Sequence, residues 1–276
     1  GEKETDTRIV IADEPTRSAR MAASELQMWL RKITDVDMPI VAEGRLSDPP
    51  PGTVILVGDT KRGRALGIDP ATFELEEIRI RSFPNTLILI GDDERPDGLP
   101  LEGTLWAVET FANDHLGVRV LWPGPLGEIV TERRPLEIPD DLDFRCVPPL
   151  RQRRIRNLGY SDRIQRGLDK LGWSRETYEN RRDEAEPWFR FHRIGGSFRG
   201  SYGHAYGNYW ERFHEDHPEW FALQPDGTRD NSRAEDGHRA RLCVSNPELI
   251  RQVARDAVAR LKRYPTLDTA SISPND

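Results

Sequence analysis

Apolar residues recur at two spacings along the first half of the chain, and their alternation predicts strands separated by helices. Helical spacing predicts one long helix over residues 16–35 and a second over residues 103–117. Thr16 or Ser18 is available to cap the first helix, and Gly117 ends the second. The short apolar run Val54–Val57 has the length of a buried strand.

A hairpin is predicted between these two helices. Ile78 and Ile80 alternate with polar residues, Pro84 and Asn85 supply a turn, and the apolar run Leu87–Ile90 follows. The first half therefore predicts an α/β domain with a mixed sheet, over residues 1–145.

The pattern changes after Pro148 and Pro149, which predict a stiff linker. Strand-like stretches over residues 240–246 and 268–276 flank a clean amphipathic helix over residues 246–264, with Asn246 as its N-cap. Strand, helix and strand in this order predict parallel pairing. Because a complete (β/α)8 barrel needs about 200–250 residues, we expect residues 146–276 to form the opening strands of an incomplete TIM-type barrel.

Composition narrows the function classes. Of 276 residues, 36% are hydrophobic and 32% charged, which is typical of a soluble globular protein. The formal net charge of −7 argues against a nucleic-acid partner, and the longest apolar runs are too short to span a membrane. Cys146 and Cys243 leave open one long-range disulfide or two free thiols.

Candidate site residues come from the predicted barrel, in which reactive groups lie just past the carboxyl ends of strands. This rule selects polar side chains that could bind sugar hydroxyls: Asn157, His204, Tyr206, Asn246, Asn275 and Asp276. Aromatic residues that could stack on sugar rings are Tyr202, Tyr206, Tyr209, Trp210 and Trp220.

Each candidate also has a purely structural interpretation. Asn246 is an expected helix N-cap, and His204 could tie down its glycine-rich loop. Asn275 and Asp276 could form only an Asx turn. The aromatic side chains could belong to the core.

A metal site is a weaker alternative. His214 and His217 lie three residues apart without an evident third ligand, so we predict no metal. The chain also lacks G-x-G-x-x-G and Walker patterns, which argues against a nucleotide, and no cofactor is expected.

Two parts of the sequence resemble known hydrolases. The succession of "HPEWFAL", "DGTR" and "LCVSNPE", followed by "SISPND", resembles glycoside hydrolase family 163, formerly a domain of unknown function. The stretch "GTLWAVETFANDHLGVRVLWPG" in the first half is similar to the α/β domain that precedes the barrel of β-hexosaminidases and α-glucuronidases.

The resemblance implies a retaining glycosidase that acts on N-acetylglucosamine-containing glycans, with the substrate's acetamido group as the nucleophile. By similarity, His204, Asn275 and Asp276 would face the sugar. The catalytic acid is expected on a later strand, outside this chain, so the catalytic residues stay unassigned and we expect these 276 residues alone to be inactive.

Two further hypotheses compete with a hydrolase of this kind. The chain could be a non-catalytic carbohydrate-binding or scaffold module, or a metal-dependent hydrolase that uses His214 and His217. A glycan is the expected partner in the leading hypothesis. Gly1 and the polar residues after it resemble a mature start without a signal peptide, so we expect a periplasmic or extracellular protein.

Overall fold

The structure is a computed structural model that describes residues 6–50, 52–133, 135–155, 162–200, 203–229 and 241–274. The chain divides into two compact units, residues 1–197 and residues 198–276. This division falls later in the chain than the predicted domain boundary between residues 145 and 146.

The first unit contains eight strands in its described residues. They are β1 (Arg8–Ile11), β2 (Ile40–Ala42), β3 (Val54–Val57), β4 (Ile78–Phe83), β5 (Thr86–Gly91), β6 (Arg119–Val120), β7 (Glu128–Ile129) and β8 (Asp143–Cys146). Six of them form one sheet in the order β2-β1-β3-β5-β4-β8, and β6 pairs with β7 in a separate two-stranded ladder. Neighbours among β2, β1, β3 and β5 are parallel, whereas β4 is antiparallel to both β5 and β8. The mixed α/β sheet and its hairpin are confirmed.

Seven α-helices are assigned in the described ranges. They are α1 (Arg17–Thr34), α2 (Lys61–Ala65), α3 (Gly103–Asp114), α4 (Asp162–Leu171), α5 (Arg175–Phe191), α6 (Tyr209–Phe213) and α7 (Pro247–Arg263). Thr16 caps α1 as predicted, since its side chain accepts a hydrogen bond from the Ala19 amide. Across the described helices, none is long and apolar enough to cross a bilayer.

Helices α1 and α3 pack on one face of the sheet. Their buried residues Leu26, Ile33 and Phe111 join inward-facing sheet residues such as Ile55 and Leu89 in one cluster. The opposite face carries a smaller cluster around Val54, Leu56, Ile68, Ile88 and Ile90. Strand β3 is therefore buried on both faces, which is why it reads as an unbroken apolar run.

Strand β5 and helix α3 meet at two glycines. A Cβ on Gly91 would collide with the Gly103 backbone, and a Cβ on Gly103 would collide with the Asp92 backbone. Asp93, next along the chain, accepts hydrogen bonds from the Thr104 amide at 2.7 Å and the Thr16 hydroxyl at 2.6 Å. One carboxylate thus joins the starts of α1 and α3.

A buried carboxylate links β4 to the edge strand β8. The Glu77 side chain is fully buried and is held by Arg79 at 2.6 Å and Arg145 at 2.9 Å. Burial alone would raise the pKa of Glu77, but hydrogen bonds from Arg145, the Glu74 amide and Arg79 outweigh it and bring the pKa to about 2. Glu77 is therefore an anion at neutral pH.

Its neighbour Glu76 makes a second buried ion pair, with Arg153 at 2.7 Å. Glu76 also accepts a hydrogen bond from the Ser197 amide, and Arg95 donates to the Ser197 carbonyl at 2.6 Å. These contacts attach the segment after the double proline to the first unit.

The second unit is built around helix α7 and a compact aromatic core. Tyr206, Tyr209, Trp220, Phe221, Leu242 and Leu249 are its buried members. The predicted N-cap of α7 is confirmed, because the Asn246 side chain accepts from the amides of Glu248 at 2.9 Å and Leu249 at 3.2 Å.

The stretches predicted as barrel strands form only isolated bridges in the described residues of this unit. Gly200 pairs with Thr269 and His204 with Ser273 in parallel, whereas Leu242, in the other predicted strand, pairs with Phe221 in antiparallel. Neighbouring apolar side chains stay open, with Val244 62% and Ile272 64% exposed. Since parallel strands are normally covered on both faces, this exposure accounts for the lack of continuous strands in the described part of this unit. The barrel stays a prediction.

Candidate functional site

The second unit contains a cleft of about 480 Å³ between the loop after Gly203 and helix α7. Its polar and aromatic lining residues are His204, Tyr206, Asn208, Tyr209, Arg212, Asp256, Arg260, Arg263, Tyr264 and Ser271. A cleft of this size falls in the range of small-ligand sites, roughly 300–1,000 Å³.

Parallel pairing with residues near the end of the chain positions His204. The Ala205 amide donates to the Ser273 carbonyl at 3.1 Å, and the Ser271 hydroxyl donates to the Gly203 carbonyl at 2.6 Å. His204 Nδ1 lies 2.8 Å from the Pro274 carbonyl. Because a carbonyl only accepts, Nδ1 carries the proton, and in the neutral ring Nε2 is the acceptor.

Two tyrosines form the inner wall of the cleft. The rings of Tyr206 and Tyr209 lie 4.7 Å apart, and both side chains are buried. Burial, and next the charge of Asp256, raises the pKa of Tyr206; burial and the hydrogen bond to Asp256 raise the pKa of Tyr209. Both hydroxyls therefore keep their protons at neutral pH and can donate.

Asp256 carries the negative charge of the cleft. Its carboxylate accepts hydrogen bonds from the Tyr209 hydroxyl, the Arg212 guanidinium and the Gln252 amide, each at 2.8 Å. Burial alone would raise the pKa of Asp256, but the hydrogen bonds from Arg212 and Tyr209 hold it below its usual value. At neutral pH Asp256 can accept hydrogen bonds but cannot act as a general acid.

The sequence-predicted site residues separate into three groups. His204 and Tyr206 both line the cleft, as expected of residues on one loop. Asn246 caps α7 and is not among the lining residues. Asn275, Asp276 and Asn157 lie outside the described residues.

The predicted aromatic platforms are mostly buried. Tyr209 is 1% and Trp220 3% exposed, so both belong to the core of the unit. Trp210 packs against that core, with its ring 4.8 Å from the ring of Phe221. Tyr202 lies outside the described residues. The lining ring open to solvent is Tyr264, which is 46% exposed.

The histidines considered for metal binding have separate surroundings. His214 Nδ1 donates to the Trp210 carbonyl at 2.7 Å. His217, Glu219 and Glu248 bring possible ligand atoms within 4.8 Å of one another, and His217 pairs with Glu219 at 3.1 Å. Glu248 lies in the first turn of α7, where the helix dipole already favours a carboxylate. The pairing of His217 with Glu219 and the helix position of Glu248 explain why these three side chains lie together without a cation. The predicted absence of a metal stays a prediction.

Sequence reasoning missed the residues that α7 contributes to the cleft. Asp256 follows Leu249 and Val253 at helical spacing, so it is a charged residue on the face that turns inward. A carboxylate on the inward face of a helix is unusual, and this was the feature of the sequence that could have identified Asp256. Arg212, Arg260 and Arg263 offered no comparable signal, because surface arginines are common.

Comparisons with known proteins place the chain in a family. The "Domain of unknown function (DUF4838)" matches residues 122–276, and no curated protein matches. A mutant Streptomyces plicatus β-hexosaminidase in complex with product GlcNAc aligns with a TM-score of 0.34 and 14% identity, over 97% of this chain and 54% of the enzyme chain. The Streptomyces plicatus N-acetyl-β-hexosaminidase in complex with Thio-NAglucal aligns with a TM-score of 0.33 and 15% identity, over the same shares of 97% and 54%. The chain thus spans about half the length of these structures. Because the family match covers more than half of its residues, this chain belongs to the family of the domain of unknown function DUF4838.

Proposed function

We propose that this chain is part of a carbohydrate-active glycoside hydrolase and that the cleft of the second unit binds saccharide. The proposed substrates are N-acetylglucosamine-containing glycans, cleaved by a retaining, substrate-assisted mechanism. Residues 146–276 would belong to a (β/α)8 barrel, residues 1–145 would form an accessory domain, and the enzyme would work in the periplasm or outside the cell. The sequence resemblance to glycoside hydrolase family 163 supports this assignment.

The observation that carries the proposal is the composition of the cleft. A sugar ring presents hydroxyls that need donors and acceptors, and flat C–H faces that pack on aromatic rings. The cleft offers Asp256 and His204 as acceptors, and the half-exposed ring of Tyr264 as a stacking surface. These three side chains surround one opening of about 480 Å³.

The state of Asp256 limits its role in the proposed reaction. Glycosidic cleavage requires a proton donor with a raised pKa, whereas the pKa of Asp256 is lowered. We assign Asp256 to orienting the sugar, because an anion accepts hydrogen bonds from hydroxyl and acetamido N–H groups. The catalytic acid stays unassigned.

A non-catalytic carbohydrate-binding module is the second candidate. One observation favours it: Asp256 is the sole carboxylate lining the described part of the cleft, and it stays ionised. Such a module would use the same residues for binding and would hydrolyse nothing.

Calorimetric titration with chitotriose, beside an assay with an aryl N-acetyl-β-glucosaminide, tests both candidates. We expect chitotriose to bind and His204→Ala to weaken it about tenfold, the effect of losing one good hydrogen bond to a ligand. The control His214→Ala removes an imidazole of the same unit that does not line the cleft. Binding without turnover, here and in longer forms of the protein, would favour the module. Failure of the chain to bind any saccharide that contains N-acetylglucosamine would contradict the proposal.

A further inference from the structure

Two arginines at the end of α7 face the cleft, and neither has a partner of opposite charge among the residues that the structure describes. Arg260 and Arg263 both line it, and both side chains are exposed. Neither guanidinium group makes an ion pair or a hydrogen bond to a side chain or carbonyl of the described ranges. Arg212, by contrast, is neutralised by Asp256 at 2.8 Å.

The ring of Tyr264 holds both guanidinium groups near the cleft. The Arg260 guanidinium lies 6.0 Å from the ring centroid, and the Arg263 guanidinium lies 5.4 Å from it. Cation–π contacts at these distances are favourable and leave the N–H donors of both groups available. The two cations and the exposed ring thus form one surface.

The charge of this surface is opposite to that of the whole chain. The described lining residues include three arginines and one aspartate, and the pairing of Arg212 with Asp256 leaves Arg260 and Arg263 uncompensated. The chain as a whole has a formal net charge of −7. The helix dipole favours cations at the carboxyl end of α7, but it does not require two of them to line a cleft.

We infer that the ligand of this cleft is an acidic saccharide, whose carboxylate or sulfate group binds to Arg260 and Arg263 while its ring packs on Tyr264. This inference rests on the proposed carbohydrate function and narrows its substrate class. Guanidinium groups match both oxyanions, because their planar N–H donors bind two oxygens at once. The neutral part of the saccharide would extend toward Asp256 and His204.

Titration with matched saccharides tests the inference. The probes are a hyaluronan hexasaccharide, which alternates glucuronic acid with N-acetylglucosamine, its carboxyl-reduced neutral form, chitotriose, and chitotriose sulfated at O6. We expect at least one acidic probe to bind about tenfold or more tightly than its neutral counterpart, and the advantage to shrink as salt is raised. Comparison of the hyaluronan pair with the chitotriose pair tells whether the anion is a carboxylate or a sulfate.

Charge-neutral variants locate the effect on the protein. Arg260→Gln and Arg263→Gln should each weaken binding of the acidic probe several-fold more than binding of its neutral counterpart. Arg251→Gln is the matched control, because Arg251 is an exposed arginine of the same helix that does not line the cleft.

Three results would overturn the inference. Equal binding of acidic and neutral probes would refute the acidic saccharide and leave the proposed function standing. An acidic preference that survives in both Arg260→Gln and Arg263→Gln would refute the assignment to these two arginines. Absence of binding by all four probes would refute the proposed function together with the inference.

Discussion

Glu109 on α3 is a buried carboxyl group whose environment favours the protonated form. It is 1% exposed, accepts a hydrogen bond from Trp29 Nε1 at 3.2 Å, and lies beside Glu25, which Arg190 holds at 2.8 Å. Burial, and next the hydrogen bond and charge of Glu25, raises the pKa of Glu109 well above its usual value. The folded state therefore binds a proton here that the unfolded state releases near pH 4.3, the usual pKa of Glu.

This proton makes stability depend on pH. Because the folded state binds more protons, the contribution of Glu109 is complete below about pH 4 and is lost as the pH rises toward the folded-state pKa. Glu109→Gln imitates the protonated acid, so we expect the variant to gain about 1–3 kcal/mol over wild type between pH 4 and pH 8. Urea unfolding of both proteins at pH 4 and at pH 8 measures this difference in the free energy of unfolding.

The exposed Glu14 supplies the control for this prediction. Glu14→Gln makes the same substitution at a solvent-exposed side chain, so we expect its free energy of unfolding to stay within about 0.5 kcal/mol of wild type. A constant difference between Glu109→Gln and wild type from pH 4 to pH 8 would contradict the raised pKa.

At the scale of elements, the joint between β5 and α3 has no room for a side chain at either glycine. We expect Gly103→Ala to destabilise the protein by about 1–3 kcal/mol, because the new methyl group must displace the Asp92 backbone. Gly167→Ala in α4 is the opposite case: a Cβ there meets nothing within 4 Å, so the higher helix propensity of alanine should stabilise by up to about 1 kcal/mol. Chemical denaturation of both variants compares them. Equal changes in the free energy of unfolding would show that helix propensity alone determines the effect. They would contradict the argument that the backbones of β5 and α3 approach too closely for a side chain.

The elements also show why local signals succeed and fail. Helices α1 and α7 could be predicted because each has a capping residue, Thr16 or Asn246, before an amphipathic run. The edge strand β8 was not predicted, because the four residues Asp143–Cys146 are too few to show a clear alternation of apolar and polar side chains. The strand forms through its pairing with β4. The cleft likewise depends on distant pairing of His204 with Ser273, which no local pattern reveals.

At the scale of the whole molecule, each unit has its own buried core. Phe221, 1% exposed, packs edge-on against Trp210 with the rings 4.8 Å apart, and belongs to the core of the second unit. We expect Phe221→Ala to cost about 3–5 kcal/mol within that unit. Amide hydrogen exchange should then show faster exchange in α7 and unchanged protection in β3 and β5. Equal loss of protection in both sets would mean that the two cores unfold together.

The paired acids Glu76 and Glu77 bear on where this protein can be cut for expression. A version ending at residue 145 would retain both glutamates, lose Arg153 altogether, and leave Arg145 as a frayed terminus instead of a strand residue. Glu76 would lose both groups that hold its carboxylate in the longer chain, the Arg153 guanidinium and the Ser197 amide. A cut after Ser197 keeps both cations and the Ser197 amide, so we expect the longer product to have the higher free energy of unfolding.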